Sequence, residues 1–318
     1  MAGSDSGTRA SVQALVSAAL TVTLFAAAGY VPVVGILVNL LAPTPLLLVI
    51  LRHGVKKGML ALGLSSLSLA LLFGSYQSLL FLAEYGVMAM TMGEVVRRRW
   101  SVERTLAAAI IAPLVASGMV MGVLLASADP DLTALWQQFQ ANLHQALQSY
   151  VADADKAVEG DLQAYIQEVK GLVVHLLPAL FIISTAVGAV LNYGVVRVLW
   201  RRMGGPPLFP DVSLAQWKAP EPCVWVLIVG GILYVMPIPP LPIAGLNVLL
   251  LVGVIYLIQG LGIILCYLQK ASMPPVFRGL AYVVLALQPI LLLGVAAFGL
   301  FDLWFDFRRM RNKREESQ

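Results

Sequence analysis

Residues 11–57 read SVQALVSAALTVTLFAAAGYVPVVGILVNLLAPTPLLLVILRHGVKK. Two apolar runs of about twenty residues, parted near Gly29 to Pro32, are each long enough to cross a hydrocarbon core of roughly 30 Å. The second run stops at Arg52, and Lys56 and Lys57 follow it. Basic residues collect on the cytoplasmic side of membrane proteins, so this pair is expected to run in, out, in. Ser11 to Phe25 followed by Ala26-Ala27-Ala28 also fits a signal-peptide core with its cleavage site. Against that, Arg9 is the only basic residue ahead of it and a second apolar run follows at once. Leu51 is expected on the cytoplasmic side either way.

The rest of the chain repeats this pattern. Met59 to Val96 holds two runs divided near Gly74-Ser75 and ends at Arg97-Arg98-Arg99. Thr105 to Ala128 is a fifth run, and Gly171 to Trp200 a sixth that closes on Arg201-Arg202. Beyond a Pro-rich loop come Cys223 to Met236, Ile243 to Leu268 and Val276 to Leu303, then the tail RRMRNKR. Nine crossings that start inside would leave this basic tail outside, against the positive-inside bias. Cys223 to Met236 is short and ends in a Pro-rich break, so it is expected to be a half-span beside eight full crossings.

Of the 318 residues, 59% are hydrophobic and 12% charged, whereas a soluble domain carries about a quarter charged residues. The expected fold is an all-α polytopic membrane bundle of about eight to nine helices in the bacterial inner membrane. The formal charge of +4 lies largely in short loops and the tail, so it fixes orientation and does not imply nucleic acid as a partner; the lipid bilayer is the expected one. Cys223 and Cys266 lack CxxC spacing and a nearby His, which points to small buried hydrophobes rather than a metal or disulfide site.

The composition changes at 129–170. Asp129, Asp131, Asp153, Asp155, Glu159, Asp161 and Glu168 face only Lys156 and Lys170. Asp129-Pro130 resembles a helix start. Leu132, Leu135, Trp136, Phe139, Leu143, Leu147 and Tyr150 then recur at helical spacing, predicting one amphipathic extracytoplasmic helix, on the bundle rim or as a lid. Four parts are expected: a five-helix bundle over 1–128, this segment over 129–170, C-terminal helices over 171–307, and a basic cytoplasmic tail over 308–318.

No HExxH, GxSxG, Walker A or Rossmann glycine pattern occurs, so no enzyme, cofactor or metal site is expected. His53, His144 and His175 fall in different zones. Glu84 is the most informative residue, because an ionisable group at bilayer depth is costly and must be protonated or paired. It is expected either to contact substrate or a proton, or to bond a neighbouring helix. Asn39, Asn192, Asn247, Gln259 and Gln288 also lie in apolar runs. Each alone reads as interhelical glue; several converging on one cavity with Glu84 would form a small-molecule site. Pro43-Thr44-Pro45 should break the second helix. Ala10, Ala14 and Ala18, and Gly118 with Gly122, form small-residue faces suited to close helix approach.

The order small-residue helix, YVPVVG, Pro-containing helix, basic loop resembles the YybS-like family of bacterial membrane proteins (domain of unknown function 2232). So does Gly299-Leu300-Phe301-Asp302-Leu303-Trp304-Phe305-Asp306-Phe307-Arg308-Arg309. The N-terminal half of that family in turn looks like the substrate-binding S components of energy-coupling-factor vitamin transporters. Those subunits have about six helices and dock through an Ala-x-x-x-Ala face onto a transmembrane coupling subunit. The resemblance therefore implies a docking role for Ala14 and Ala18, and substrate uptake as the function. This chain is longer and carries the acidic insertion. The alternative expectation is a membrane scaffold or accessory factor in envelope processes.

Reporter fusions at Arg52, Gln145, Gly204 and Gln318 are expected to read inside, outside, inside and inside. An outside signal at Gly204 overturns the threading, and one at Gln318 restores nine full crossings.

Overall fold

The computed structural model describes residues 2–30, 32–127, 130–151, 159–206, 208, 217–274, 276, 277, 279, 285 and 288–308. Every regular element among them is helical. In order these are α1 (Ala2–Tyr30), α2 (Pro32–Asn39), α3 (Pro43–His53), α4 (Val55–Phe73) and α5 (Ser75–Phe81), which passes through a π-helical turn (Leu82–Gly86) into α6 (Val87–Arg97). Then come α7 (Val102–Ser127), α8 (Pro130–Val151), α9 (Glu159–Arg202), α10 (Cys223–Val235), α11 (Leu241–Lys270) and α12 (Pro289–Phe305).

Among the described residues six helices are long and apolar enough to cross a membrane, over Ala10–Ala27, Val55–Phe73, Ser75–Arg97, Val102–Ser127, Ile166–Arg202 and Leu241–Lys270. Leu37–His53, Cys223–Val235 and Ile290–Phe305 are shorter apolar helices. The chain is thus a polytopic helical membrane protein. It divides into two compact units, Met1–Lys170 with Ser184–Pro210, and Gly171–Ile183 with Asp211–Gln318. This division cuts across the four parts expected from composition, because the sixth run contributes to both units.

In the first unit α1 packs on α2, α3 and α4, while α3 also meets α6, and α6 meets α7. Lipid tails are as apolar as leucine, so such contacts depend on shape rather than on hydrophobic expulsion. Ile50 of α3 shows how: it is fully buried, and a Cβ placed on either Gly58 of α4 or Gly93 of α6 would strike its side chain. Two missing methyl groups on two helices form the socket for one side chain. Leu46, Leu47, Leu69, Phe81, Met88 and Met92 complete this core.

In the second unit α11 packs on both α10 and α12. At the α11–α12 crossing Gly260 lies against the backbone of Val295, and Gly299 against the backbone of Tyr256. Neither position has room for a side chain. Val252 and Tyr256, with Ala219, form the small buried core.

Several expectations are corrected. The amphipathic segment and the sixth run are not separate elements from residue 159 onward: α9 is one helix of 44 residues, about 66 Å long at 1.5 Å per residue. A single Gly171 in the helix interior does not suffice to break it. Gln288 does not lie within a span; it precedes α12 in an extended conformation, and the helix opens at Pro289, whose missing N–H is no loss in the first turn. Gly118 and Gly122 have nothing within 4 Å of an added Cβ, so this pair makes no close crossing among the described residues. The helix start expected at Asp129 lies outside them, although α8 does begin at Pro130.

Gly299→Ala is expected to lower stability by about 1–3 kcal/mol, since the obstructing atoms are backbone and the helices must separate. Gly118→Ala should be silent. Thermal unfolding in detergent checks both, and equal melting temperatures would refute the proposed crossing.

Candidate functional site

The site starts from a break. Pro43 and Pro45 cannot donate, so the carbonyls of Asn39 and Leu41 lose their helical partners. The chain turns tightly instead: Ala42 N–H donates to Asn39 O (2.8 Å) and Thr44 N–H to Leu41 O (2.9 Å). With Thr44 engaged, Leu40 O has no local donor, and in hydrocarbon no water replaces it. Asn192 of α9 supplies one, its Nδ2 donating to Leu40 O at 2.7 Å. The same amide donates to Gly188 O (2.7 Å) and accepts from Thr44 Oγ1 (2.7 Å). Asn192 is 0% exposed. It serves as the missing hydrogen-bonding group of a helix two prolines have interrupted.

Asn39 ends α2 on the other side of the break. Its Nδ2 donates to Phe25 O of α1 (2.8 Å), and its Oδ1 accepts from Tyr85 Oη (2.6 Å). Tyr85 belongs to the π-helical turn and stands in an aromatic cluster with Phe25 and Phe81, edge to face, with ring centroids 5.5–6.0 Å apart. Glu84, one residue earlier in that turn, reaches α9: Thr185 Oγ1 donates to Glu84 Oε1 at 3.2 Å. Thr185 and Asn192 are seven residues apart, two turns along one face of α9. A polar belt therefore links Phe25, Asn39, Leu40, Thr44, Glu84, Tyr85, Thr185 and Asn192 through four stretches of chain.

Of the six weighed polar residues, three, Asn39, Glu84 and Asn192, belong to this belt. Gln288 precedes α12, and Asn247 and Gln259 lie in the second unit and serve there. Asn247 of α11 bridges a turn of α9 beside Pro178, donating to His175 O (2.8 Å) and accepting from Ala179 N–H (2.9 Å). Gln259 donates to Asp302 Oδ2 (3.1 Å) and accepts from Ala219 N–H (2.9 Å). Asp302, 1% exposed, also accepts from Phe307 N–H (2.9 Å) and pairs with Arg308 (3.4 Å), whose Nη1 donates to Trp217 O (2.8 Å). Asp306 closes α12 in the left-handed conformation, φ 43°. The sequence GLFDLWFDFR thus builds a clasp on the end of α12.

Sequence reasoning gave no bonding role to Thr44, Tyr85 or Thr185, whose hydroxyls contact Asn192, Asn39 and Glu84, and missed the π-helical turn, which has no composition signal. The small-residue face of α1 is also reassigned. Ala14 and Ala18 are 0% and 3% exposed, covered by helices of their own unit, so this structure does not offer them to a coupling subunit.

The family described as "Predicted membrane protein (DUF2232)" matches residues 19–303. The chain belongs to this family. The "Uncharacterized protein YybS" of Bacillus subtilis (strain 168) is 24% identical to this chain over 311 residues, covering 93% of this chain and 97% of its own length. No solved structure matches. Membership establishes an integral membrane protein.

Asn192→Leu removes three hydrogen bonds and leaves Leu40 O bare. Interhelical polar contacts in bilayers are worth about 0.6 kcal/mol each and at most about 1.7, so a loss of about 2 kcal/mol is expected. An unchanged melting temperature in detergent would refute the belt.

Proposed function

We propose that the first unit is the solute-handling part of a small-molecule uptake system, S-component-like in its broad plan, and that Glu84 contacts the solute or a proton accompanying it. The observation that carries this reading is the setting of Glu84. It sits on a π-helical turn, a distortion that is frequent at functional sites. The helix across the belt is discontinuous, as in transporters whose sites lie at such breaks. Asn39 and Asn192 spend their polar atoms on the chain itself, whereas among the described residues Glu84 is held by one neutral hydroxyl and no cation. A half-buried carboxylate so lightly held retains acceptor capacity for a ligand.

On this reading the protein lies in the bacterial inner membrane with its N-terminus cytoplasmic. It is not catalytic, and a transmembrane coupling subunit would dock on a surface other than Ala14 and Ala18. A second reading, a membrane scaffold or accessory factor, is favoured by the saturation of Asn39, Asn192, Asn247 and Gln259 within the chain.

Purification in mild detergent followed by mass spectrometry of released small molecules separates the two. Glu84→Gln is nearly isosteric and is expected to shift stability by less than about 0.5 kcal/mol. It should reduce retention of a co-purifying solute about tenfold or more, the equivalent of a charge-assisted hydrogen bond of about 1.5–3 kcal/mol. Unchanged retention, or no solute with the wild type, supports the scaffold reading.

A further inference from the structure

We propose that the groove between α1 and α3 is a seat for one membrane phospholipid, held by its phosphate and one ester carbonyl. The groove has a volume of about 270 Å³ and is lined by Gln13, Val16, Ser17, Leu20, Leu48 and Arg52 among others. It is separate from the belt around Glu84, so it stands or falls independently of the uptake reading.

The chemistry of the groove is graded along its length. The two helices run antiparallel there: Gln13 Oε1 near the start of α1 contacts His53 Nε2 at the end of α3, while Phe25 near the end of α1 meets Asn39, just ahead of the start of α3. These contacts put Gln13 level with the C-terminal end of α3, where Arg52 is exposed. Ser17 lies four residues further along α1, about 6 Å deeper, and Leu20 about 10 Å deeper. Leu48 is one turn back from Arg52 on the facing helix, at a matching depth. A cation and an amide therefore stand at the mouth, a hydroxyl one turn below, and aliphatic side chains beneath that. A phospholipid presents the complementary order: phosphate, ester, acyl chain.

Two observations point to a ligand and not to a packing defect. Ser17 is only 5% exposed, lines the groove, and its Oγ has no hydrogen-bond partner among the described residues. A buried hydroxyl in that state normally has a partner. None of the residues lining the groove is acidic, so the Arg52 charge is not neutralised within it, and a guanidinium is well shaped for a phosphate. Val16 and Leu20 are about half exposed, leaving the groove open sideways to the bilayer, which is the route by which a lipid enters.

Native mass spectrometry of the full chain, released from detergent and titrated with dioleoyl phosphatidylglycerol, tests the proposal. A saturable one-to-one adduct is expected for the wild type. Arg52→Gln should weaken it about tenfold, the scale of one charge-assisted hydrogen bond, and Val16→Trp, which fills the groove from its exposed side, should weaken it comparably. Lys56→Gln, which removes a neighbouring surface charge outside the groove, should leave it within about twofold. Equal adducts in wild type, Arg52→Gln and Val16→Trp would overturn the seat, as would an equal loss in Lys56→Gln and Arg52→Gln, which would indicate diffuse surface charge. Should Val16→Trp fail to fold, the exposed Arg52→Gln variant decides together with a phosphatidylglycerol carrying a photoreactive group in its chain. That probe should label the segments around Leu20 and Leu48, and labelling elsewhere alone would reject the site.

Discussion

A backbone carbonyl stranded in hydrocarbon costs several kcal/mol, and this chain places two prolines where that penalty falls due. Pro43 and Pro45 remove the donors for Asn39 and Leu41, the tight turn satisfies those two, and the remaining carbonyl of Leu40 must look outside its own helix. Asn192 answers from a position 152 residues further along the chain. The closeness of α9 to the α2–α3 break follows from that need, and with it the approach of Thr185 to Glu84. The polar belt is first a solution to a backbone problem; Glu84 is the member whose chemistry the backbone does not use up.

The second unit meets the same demand by other means. Its helices cross where Gly260 and Gly299 let backbones touch, and two of its ionisable groups, Asp302 and Arg308, are gathered with the Gln259 amide into one clasp. A buried ion pair is weak evidence for stability, because desolvation offsets much of the attraction. What this one does is specify geometry: the two oxygens of Asp302 and the guanidinium of Arg308 tie together the end of α12, the middle of α11 and the strand of loop at Trp217. The terminal stretch from Gly299 to Arg308 is in this light a folding device.

What was legible in the sequence was what hydropathy and proline control: the apolar runs, the break at Pro43, the short Cys223 helix, and the identity of the polar residues worth attention. Partners were not legible. Whether Asn39 and Asn192 would meet depends on a long-range pairing that no local pattern encodes, and an amide in an apolar run looks the same whichever unit it serves. Ala14 and Ala18 advertise a close approach without saying to what. Gly118 and Gly122 have the spacing of a packing face and no packing, whereas Gly260 and Gly299, nearly forty residues apart, make the crossing that spacing alone could not announce. The continuity of α9 escaped because composition shifts at residue 170 while helix-forming capacity does not.

The π-helical turn has one more consequence. Each α-helical residue turns the chain by about 100°, and a π-turn is in effect one residue inserted into that rhythm. Ser75–Phe81 and Val87–Arg97 are therefore two stretches of one rod set out of phase. The first is phased to bury Ser78 and Phe81, the second to bury Met88, Ala89, Met92 and Val96. Between them the slip is absorbed in five residues, and in those five Glu84 and Tyr85 address different neighbours. The carboxylate stands at that slip, addressing α9 through Thr185 while Tyr85 addresses the end of α2 through Asn39.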